Sequence, residues 1–321
     1  MSAPLAGFAA LIARARGLRP LRAAVVYPCD ALSFAALAEA AKTNLIEPLV
    51  IGPSHAIVRA AAEAQSDYLS FARIEAPDAV SAAREAAKLA ERGRIDAIVK
   101  GSLHSDELLR PIVHARALHP QRRLSHCYVF ALRERTEPLI LTDAAVNVAP
   151  SLEEKAEIVA NAIDLARALD LEPRVALLSA VETVTSTIPS TIDAAAIAKM
   201  ADRHQIVGAL VDGPLAFDDA ISPEAARRKN IASPVAGRAN VLVVPELEAG
   251  NMLAKELELL AHEDAAGIVL GASVPIVLTS RADGIGSRVA SCALASIYHA
   301  WLSSPSRNRG ASSGNGKAPS A

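Results

Sequence analysis

Basic and hydroxyl side chains follow the apolar residues 97–99. They begin with Lys100-Gly101-Ser102, and Ser105 and Arg110 come within the next ten positions. We predict a buried strand, a tight turn and then a helix with Ser105 as its N-cap. In a parallel sheet such a turn lies at the carboxyl edge, where ligands bind and where the N–H groups of the following helix attract anions. An ordinary turn with a serine cap explains the same residues, and no Gly-Lys-Ser/Thr completes a P-loop.

A second stretch has the same form. The apolar residues 274–278 are followed by Thr279-Ser280-Arg281, then by Asp283, and a helix is predicted over residues 289–301. Hydroxyl groups and a guanidinium fork at a strand end suit a phosphate or a carboxylate. The alternative is a structural salt bridge of Arg281 with a Ser-Asp helix cap. The pair Gly284 and Gly286 lacks the spacing of a dinucleotide fingerprint.

Two further polar segments follow predicted strands. Asp212, Asp218 and Asp219 supply three carboxylates that would bind a metal, act as bases or cap helices and turns. No histidine completes a ligand set among them, so we predict no metal site. Gly250-Asn251 follows the apolar residues 241–244 and marks either a helix start near a ligand-binding edge or a loop that needs a flexible residue.

Short apolar runs alternate with helical periodicity along nearly the whole chain. The runs predict buried strands at residues 23–27, 48–51, 97–99, 139–141, 175–178, 208–211, 241–244, 267–270 and 275–278. The 3.6-residue period predicts helices at residues 31–42, 79–91, 152–169, 192–203 and 248–261. This alternation is typical of an α/β protein with mainly parallel sheets covered by helices.

Composition narrows the class of protein. The 33 basic and 35 acidic residues give a net charge of −2, so we expect no nucleic-acid partner. The three cysteines lack paired spacing and are expected to be reduced thiols. The 16-residue uncharged stretch before Arg281 contains glycine and proline and is too short to span a membrane. Because arginines follow the apolar residues 4–13, we predict an amphipathic first helix there, no signal peptide, and a cytoplasmic protein.

Two segments are candidate domain boundaries, the first of them polar and proline-bearing, and the end of the chain differs in composition. The boundary candidates are residues 133–138 and 267–271. Residues 303–321 are rich in Ser, Gly, Asn and Pro and lack apolar periodicity, so we predict a disordered tail.

The ordered set of motifs resembles the phosphate acyltransferases, the family of phosphate acetyltransferase and phosphate butyryltransferase. The resemblance covers residues 20–302, and the matching motifs are Lys100-Gly101-Ser102-Leu103-His104-Ser105-Asp106, Thr142-Asp143-Ala144-Ala145, Pro173-Arg174-Val175-Ala176-Leu177-Leu178-Ser179, Asp212-Gly213-Pro214-Leu215, Ser233-Pro234-Val235-Ala236-Gly237-Arg238-Ala239-Asn240-Val241-Leu242, Glu248-Ala249-Gly250-Asn251 and Thr279-Ser280-Arg281-Ala282-Asp283. Residues 179–183 and 188–191 are most similar to the phosphate acetyltransferase half of bifunctional enoyl-CoA hydratase/phosphate acetyltransferase chains. The predicted first strand begins at residue 23, so we expect the hydratase half to be absent.

The resemblance implies an architecture and an activity. A first α/β lobe of residues 1–135 and 271–302 would receive an inserted second lobe of residues 136–270, with the active-site cleft between them. The implied reaction is the reversible transfer of an acetyl or short acyl group such as butyryl between coenzyme A and inorganic phosphate, by direct transfer in a ternary complex. The implied partners are acyl-CoA, inorganic phosphate, acyl phosphate and a second copy of the chain in a homodimer. Coenzyme A is a substrate here, and no cofactor is expected.

The resemblance also implies the site residues. The expected catalytic residues are Ser280, Arg281 and Asp283, and the expected substrate-binding residues are Lys100, Ser102, Ser105, Arg110, Thr279, Asn251 and Arg288. Acetyl-type members of the family carry an aspartate about six residues beyond the arginine, where this chain has Ser287. Asp283 is the nearest carboxylate, as in butyryl-type sequences, so the general base and the acyl chain length stay open.

Two other functions fit parts of this pattern. A two-lobed decarboxylating dehydrogenase would need NAD and a divalent metal held by aspartates. A pseudoenzyme would bind coenzyme A or an acyl phosphate without turnover.

Overall fold

The computed structural model describes residues 6–115, 118, 122–281 and 283–304. These residues form two compact units, which we describe separately. The first consists of the described residues of 1–133 together with 263–299, and the second consists of 134–262 with the described residues from 300 onward. The predicted tail falls almost entirely outside the described residues.

Eleven strands occupy the described chain. They are β1 (Leu21–Val26), β2 (Ile46–Gly52), β3 (Ala72–Glu75), β4 (Ala97–Lys100), β5 (Ser125–Ala131), β6 (Leu139–Thr142), β7 (Arg174–Leu178), β8 (Leu210–Leu215), β9 (Val241–Val243), β10 (Asp264–Leu270) and β11 (Ile276–Val277).

Eleven α-helices accompany these strands in the described residues. They are α1 (Ala9–Arg16), α2 (Ala31–Lys42), α3 (Ser54–Glu63), α4 (Ala79–Glu91), α5 (Ser105–His114), α6 (Leu152–Ala168), α7 (Pro189–Asp202), α8 (Phe217–Ile221), α9 (Pro223–Arg228), α10 (Leu247–Leu259) and α11 (Ile285–Leu302). A short 3₁₀ turn, Ala6–Phe8, precedes α1.

The first unit is built on a sheet of strand order β3-β2-β1-β4-β11-β10-β5. Neighbouring strands are parallel except for β10, which is antiparallel to both β11 and β5. Apart from Arg22 and Lys100, the central strands β1 and β4 are apolar, and they are almost wholly buried because helices cover a parallel sheet. The buried face of α4 consists only of alanines, whose small side chains let the helix pack closely on its neighbours.

The second unit has a parallel sheet of strand order β6-β9-β7-β8. Its core includes the apolar strands β6, β7 and β9 and the buried face of α6. The mainly parallel α/β class predicted from the sequence is confirmed.

The structure differs from the sequence predictions at several elements. Strands β3 and β5 were not predicted, because β3 is exposed and polar at the edge and β5 begins with the polar residues Ser125 and His126. Helix α11 begins at Ile285, one turn before the predicted residue 289, because Gly286 and Ser287 continue the helix. The first helix ends at Arg16, beyond the predicted residue 13.

Two further sequence predictions bear on the class of protein. All three cysteines are free thiols, as predicted. Within the described residues, no helix combines the length and the apolar character that crossing a bilayer requires.

Candidate active site

Three strand ends meet at one edge of the first unit's sheet. Strand β4 lies between β1 and β11, and all three run parallel, with Val99 paired to Val25 and to Val277. The carboxyl ends of these strands therefore bring together residues 27–30, 100–102, 279–281 and 283. Both stretches singled out in the sequence lie here, and this edge is the usual place for a ligand in an open α/β sheet.

The turn after β4 is tied to the turn after β1. Gly101 N–H donates to Val26 O at 2.9 Å, and a Cβ on Gly101 would lie only 2.5 Å from Tyr27 O, so no larger residue fits. Ser102 Oγ donates to Tyr27 O at 2.8 Å and accepts from Cys29 N–H at 2.7 Å. The Ser102 hydroxyl thus joins the two turns through backbone contacts.

The turn after β11 is built around Asp283. Asp283 Oδ2 accepts from Ser280 N–H at 2.7 Å, and Asp283 N–H donates to Ser280 O at 3.2 Å. Arg288, from the first turns of α11, donates from Nε to Asp283 O and from Nη2 to Ser280 O, each at 3.1 Å. Arg288 is only 7% exposed. Its guanidinium is therefore occupied in holding the backbone of this turn.

Arg281 lies on the same turn and has a different environment. Its side chain is exposed, and within the described part of the chain the guanidinium has no hydrogen-bond or ion-pair partner. An exposed guanidinium without a protein carboxylate keeps its donors available for a planar anion. The structural salt bridge considered for Arg281 is thus not formed among the described residues.

Lys100 lies beneath this turn. The residue is 4% exposed, and its Nζ donates to Thr279 O at 3.1 Å. The pKa of Lys100 is lowered to about 8, chiefly by burial and also by the positive charges of Arg288 and Arg281. The negative charges of Asp283 and Asp30 oppose this shift and are smaller effects. Burial also lowers the pKa of Arg288 from its ordinary value. Several cationic groups thus lie close together with few acidic neighbours.

Asp30 belongs to this edge of the sheet and was not predicted from the sequence. Its carboxylate caps α2 by accepting from Ser33 N–H at 2.8 Å and Ser33 Oγ at 3.0 Å. Burial alone would raise the pKa of Asp30, but hydrogen bonds from Ser33 and Ser102 and the charge of Arg288 hold it below its ordinary value. The Asp-x-x-Ser spacing after the predicted first strand was the signal that could have found it.

Two predicted residues lie on α5. The prediction that Ser105 caps this helix is wrong, because the helix begins at Ser105 and His104 is the N-cap residue. His104 N–H donates to Glu107 Oε2 at 2.7 Å, so the glutamate side chain provides the acceptor for this backbone N–H at the start of the helix. Arg110 is exposed on the same helix. No contact described for Ser105 or Arg110 joins them to the turn after β11.

Asn251 lies in the second unit. It is exposed on α10, and its Nδ2 donates to Ala144 O at 3.2 Å. The preceding Gly250 lets the helix approach the turn after β6, because a Cβ there would lie 2.6 Å from Asp143 O. Close packing therefore explains the glycine of the Gly-Asn pair, whatever role Asn251 has with substrate.

The aspartates after β8 surround a lysine. Lys229 Nζ lies 2.9 Å from Asp219 Oδ2, 3.3 Å from Asp218 and 3.8 Å from Glu182. Asp218 and Asp219 lie in the first turn of α8, where acidic side chains stabilise a helix. In the described residues, no group of three or more His, Cys, Asp or Glu side chains is arranged to hold a metal ion.

Comparison with known proteins agrees with this picture. Residues 75–296 match the family described as Phosphate acetyl/butaryl transferase. The chain is 53% identical over 292 residues to a phosphate acetyltransferase of Rhizobium meliloti, covering 90% of this chain and 92% of that protein. It is 36% identical over 292 residues to a phosphate butyryltransferase of Clostridium acetobutylicum, covering 90% of this chain and 97% of that protein.

A solved structure shows the same fold. The branched-chain phosphotransacylase from Enterococcus faecalis superposes with a TM-score of 0.75 at 29% identity, covering 87% of this chain and 99% of that one. The family match spans well over half of the sequence, and the relatives are similar along most of their length. The chain therefore belongs to the phosphate acetyl/butaryl transferase family.

Proposed function

We propose that this chain catalyses the reversible reaction acyl-CoA + phosphate = acyl phosphate + CoA, with an acetyl or other short acyl group. The single observation that carries this function is the turn after β11, where Arg281 is exposed beside the buried cations Lys100 and Arg288. The reaction needs a cluster of positive charge, because a thiolate must attack a carbonyl carbon that carries a phosphate dianion. Family membership supports the same reaction and identifies the chain as an acyltransferase.

In this proposal Arg281 binds the phosphate group. Its guanidinium is exposed and makes no ion pair in the described chain, so both arms of the fork are available for phosphate oxygens. Arg288 adds positive potential beside it, as does Lys100 whenever its amine is protonated. The charge around this turn is not fully balanced, because the three cationic groups Arg281, Lys100 and Arg288 face only two carboxylates, Asp283 and Asp30, among the described neighbours.

Ser280 and Asp283 complete the proposed catalytic turn. The hydroxyl of Ser280, next to Arg281, donates to the carbonyl oxygen on which negative charge develops. Asp283 fixes the turn by accepting from Ser280 N–H, and Arg288 holds two of its carbonyls. We therefore assign Arg288 to positioning this turn, rather than to the direct substrate contact predicted from the sequence.

The remaining assignments are proposals from the family resemblance. They are substrate binding by Ser102, Ser105, Arg110, Thr279 and Asn251, a homodimeric assembly, the absence of any cofactor besides the substrate coenzyme A, and a cytoplasmic location. Ser102 and Thr279 lie at the same sheet edge as the turn after β11, which supports their inclusion.

A thioester assay tests the function. The purified chain is incubated with acetyl-, propionyl- or butyryl-CoA, with and without phosphate, and loss of thioester and formation of acyl phosphate are measured. We expect phosphate-dependent turnover with at least one of the three thioesters, unchanged by a chelator and by NAD. Turnover that requires NAD and a divalent metal would support the dehydrogenase instead, and binding of coenzyme A without turnover would support the pseudoenzyme.

A further inference from the structure

The Lys100 amine has an unusual environment for a buried cation. Its Nζ makes one hydrogen bond, to Thr279 O at 3.1 Å, and within the described chain it forms no ion pair with a carboxylate. A protonated amine carries three N–H donors and loses its hydration on burial. Burial without a paired carboxylate therefore disfavours the charged form of Lys100.

The charged groups around Lys100, taken together, also disfavour its protonated form. Arg288 faces it from α11 and Arg281 from the turn after β11, while the opposing charges of Asp283 and Asp30 are weaker influences. The pKa of Lys100 is accordingly lowered to about 8, chiefly by burial. The neutral amine is thus well populated slightly above neutral pH.

The cysteine and tyrosine side chains on the neighbouring elements stay neutral across this pH range. Burial raises the pKa of Cys29, after β1, to about 11, and that of Cys292, on α11, to about 12. Burial also raises the pKa of Tyr27 from its ordinary value. Lys100 is therefore the group of this cluster suited to exchange a proton near pH 8.

Asp283 is poorly suited to that task. Its Oδ2 accepts from Ser280 N–H at 2.7 Å, so taking a proton on this oxygen would break the contact that shapes the turn. The chain has Ser287 where acetyl-type sequences have their aspartate.

We propose that Lys100 accepts the proton of the coenzyme A thiol and passes it to the departing phosphate. The inference rests on the proposed function and supplies the base that the function leaves unassigned. Lys100 adjoins Thr279, whose chain neighbour is Ser280, so the amine lies next to the turn at which the acyl phosphate is proposed to bind.

The proton balance is closed within one turnover. The thiol S–H bond breaks, its proton joins the neutral amine, and the resulting thiolate forms the C–S bond at the acyl carbon. The C–O bond to phosphate then breaks with its electron pair on oxygen, and the ammonium returns its proton to that oxygen. Products are acyl-CoA and hydrogen phosphate, and Lys100 is again neutral. The reverse reaction uses the same steps backwards.

Two substitutions separate proton transfer from simple charge. Lys100→Met removes both the amine and the charge, and Lys100→Arg keeps the charge but has a pKa too high to accept a proton. We expect both variants to lose at least about 100-fold in kcat for thioester formation, the lower range for general-base catalysis. Lys88→Met, at an exposed lysine on α4, is the matched control and should keep the wild-type rate.

The pH profile and rescue by free amines give readouts that a structural role would not change. Wild-type kcat/KM for coenzyme A should pass through a maximum between about 8, the pKa of Lys100, and about 8.5, that of a thiol. Lys100→Met should rise to a plateau without the descending limb. Added methylamine or ethylamine should restore part of its rate, in proportion to the neutral amine.

The outcomes distinguish failure of the proposed function from failure of the proton-transfer role of Lys100. Absence of phosphate-dependent turnover in the wild type would contradict the proposed function itself. An active wild type with near-normal kcat in Lys100→Arg, or a raised KM alone in Lys100→Met, would overturn the proton-transfer role. If Lys100→Met fails to fold by circular dichroism, Lys100→Arg and the wild-type pH profile still decide.

Discussion

Arg281 is the residue on which the functional assignment most depends. It is exposed, and no partner within the described chain holds its guanidinium, so its replacement removes no described native contact. Arg288, seven positions later, is buried and makes two hydrogen bonds to the same turn. The two arginines therefore have different environments, and their replacement should have different effects on activity and stability.

Replacement of Arg281 should lower activity without lowering stability. Lysine at this position keeps the charge but loses the fork, and glutamine loses both. A charge-assisted hydrogen bond is worth about 1.5–3 kcal/mol, so Arg281→Lys should reduce kcat/KM about tenfold to a hundredfold and Arg281→Gln further. Steady-state kinetics and the thermal midpoint are measured on the same samples. Near-normal turnover of Arg281→Gln would remove Arg281 from the site.

Replacement of Arg288 should act through the turn. Arg288→Lys keeps a charge but cannot hold Ser280 O and Asp283 O together, because the ammonium lacks the planar fork. We expect kcat to fall about tenfold or more while the KM for phosphate changes little, measured in the phosphate-dependent direction. A selective rise in the KM for phosphate would instead support the direct substrate contact of Arg288 that was expected from the sequence.

Strand β4 is the element that joins the site to the rest of the first unit. Its carboxyl end carries Lys100 and the close-packed Gly101, and Asp96 precedes its amino end. Asp96 accepts hydrogen bonds from Arg22 and from Arg19 Nη2, the latter at 2.8 Å. The amino end of this strand thus adjoins an ion-paired carboxylate, and its carboxyl end carries the lysine that we propose as the base.

Substitution of Gly101 should disturb the whole sheet edge. In Gly101→Ala the added Cβ would lie 2.5 Å from Tyr27 O, and backbone must shift to admit it. Overpacking of this kind costs about 1–3 kcal/mol, so we expect a lower thermal midpoint together with reduced turnover. Gly17→Ala is the control, since its Cβ would meet only Arg14 O at an ordinary 3.4 Å. Equal midpoints for the two variants would contradict the close approach.

The Asp96 cluster predicts loss of stability in acid. Burial would raise the pKa of Asp96, but hydrogen bonds from Arg22 and the charges of His299 and Arg19 lower it to about 2. Because the folded pKa lies below the unfolded value of about 3.9, this stabilisation is present above about pH 4 and is lost as the pH falls towards 2. It amounts to about 2–3 kcal/mol.

Asp96→Asn should remove this contribution. Unfolding is followed at neutral pH and across pH 5 to 2, and the variant should have a lower midpoint at neutral pH and a flatter acid dependence than the wild type. Identical acid profiles would show that the arginines do not stabilise the Asp96 carboxylate.

For the whole molecule, the family resemblance predicts a dimer. The chain has a mass of 33.4 kDa, so sedimentation equilibrium should give about twice this value. A monomer with full phosphate-dependent activity would contradict the assembly while leaving the proposed reaction in place. The measurement is therefore independent of the kinetic tests.

Much of the fold could be predicted because the pattern that encodes it is local. Helices α2 and α4 have the bounds predicted from the 3.6-residue period, and the predicted apolar runs coincide with strands such as β4 and β7. The predicted lobe boundaries at residues 135 and 271 and the cleft between the lobes stay predictions. Strand β5 was missed because it begins with the polar residues Ser125 and His126 and pairs with a strand distant in sequence, as in the register of His126 with Val269.

The sequence by itself determined the α/β class and the two strand-end motifs, and it predicted Arg281 as a candidate residue for an anion. Only the tertiary structure decided what their neighbours do. Arg288 holds the turn, Asp283 shapes it, and Lys100 reaches Thr279 across 179 positions of the chain. A residue's type and spacing define the chemistry it can perform, but burial and its long-range partners decide whether its donors and protons remain free to perform it.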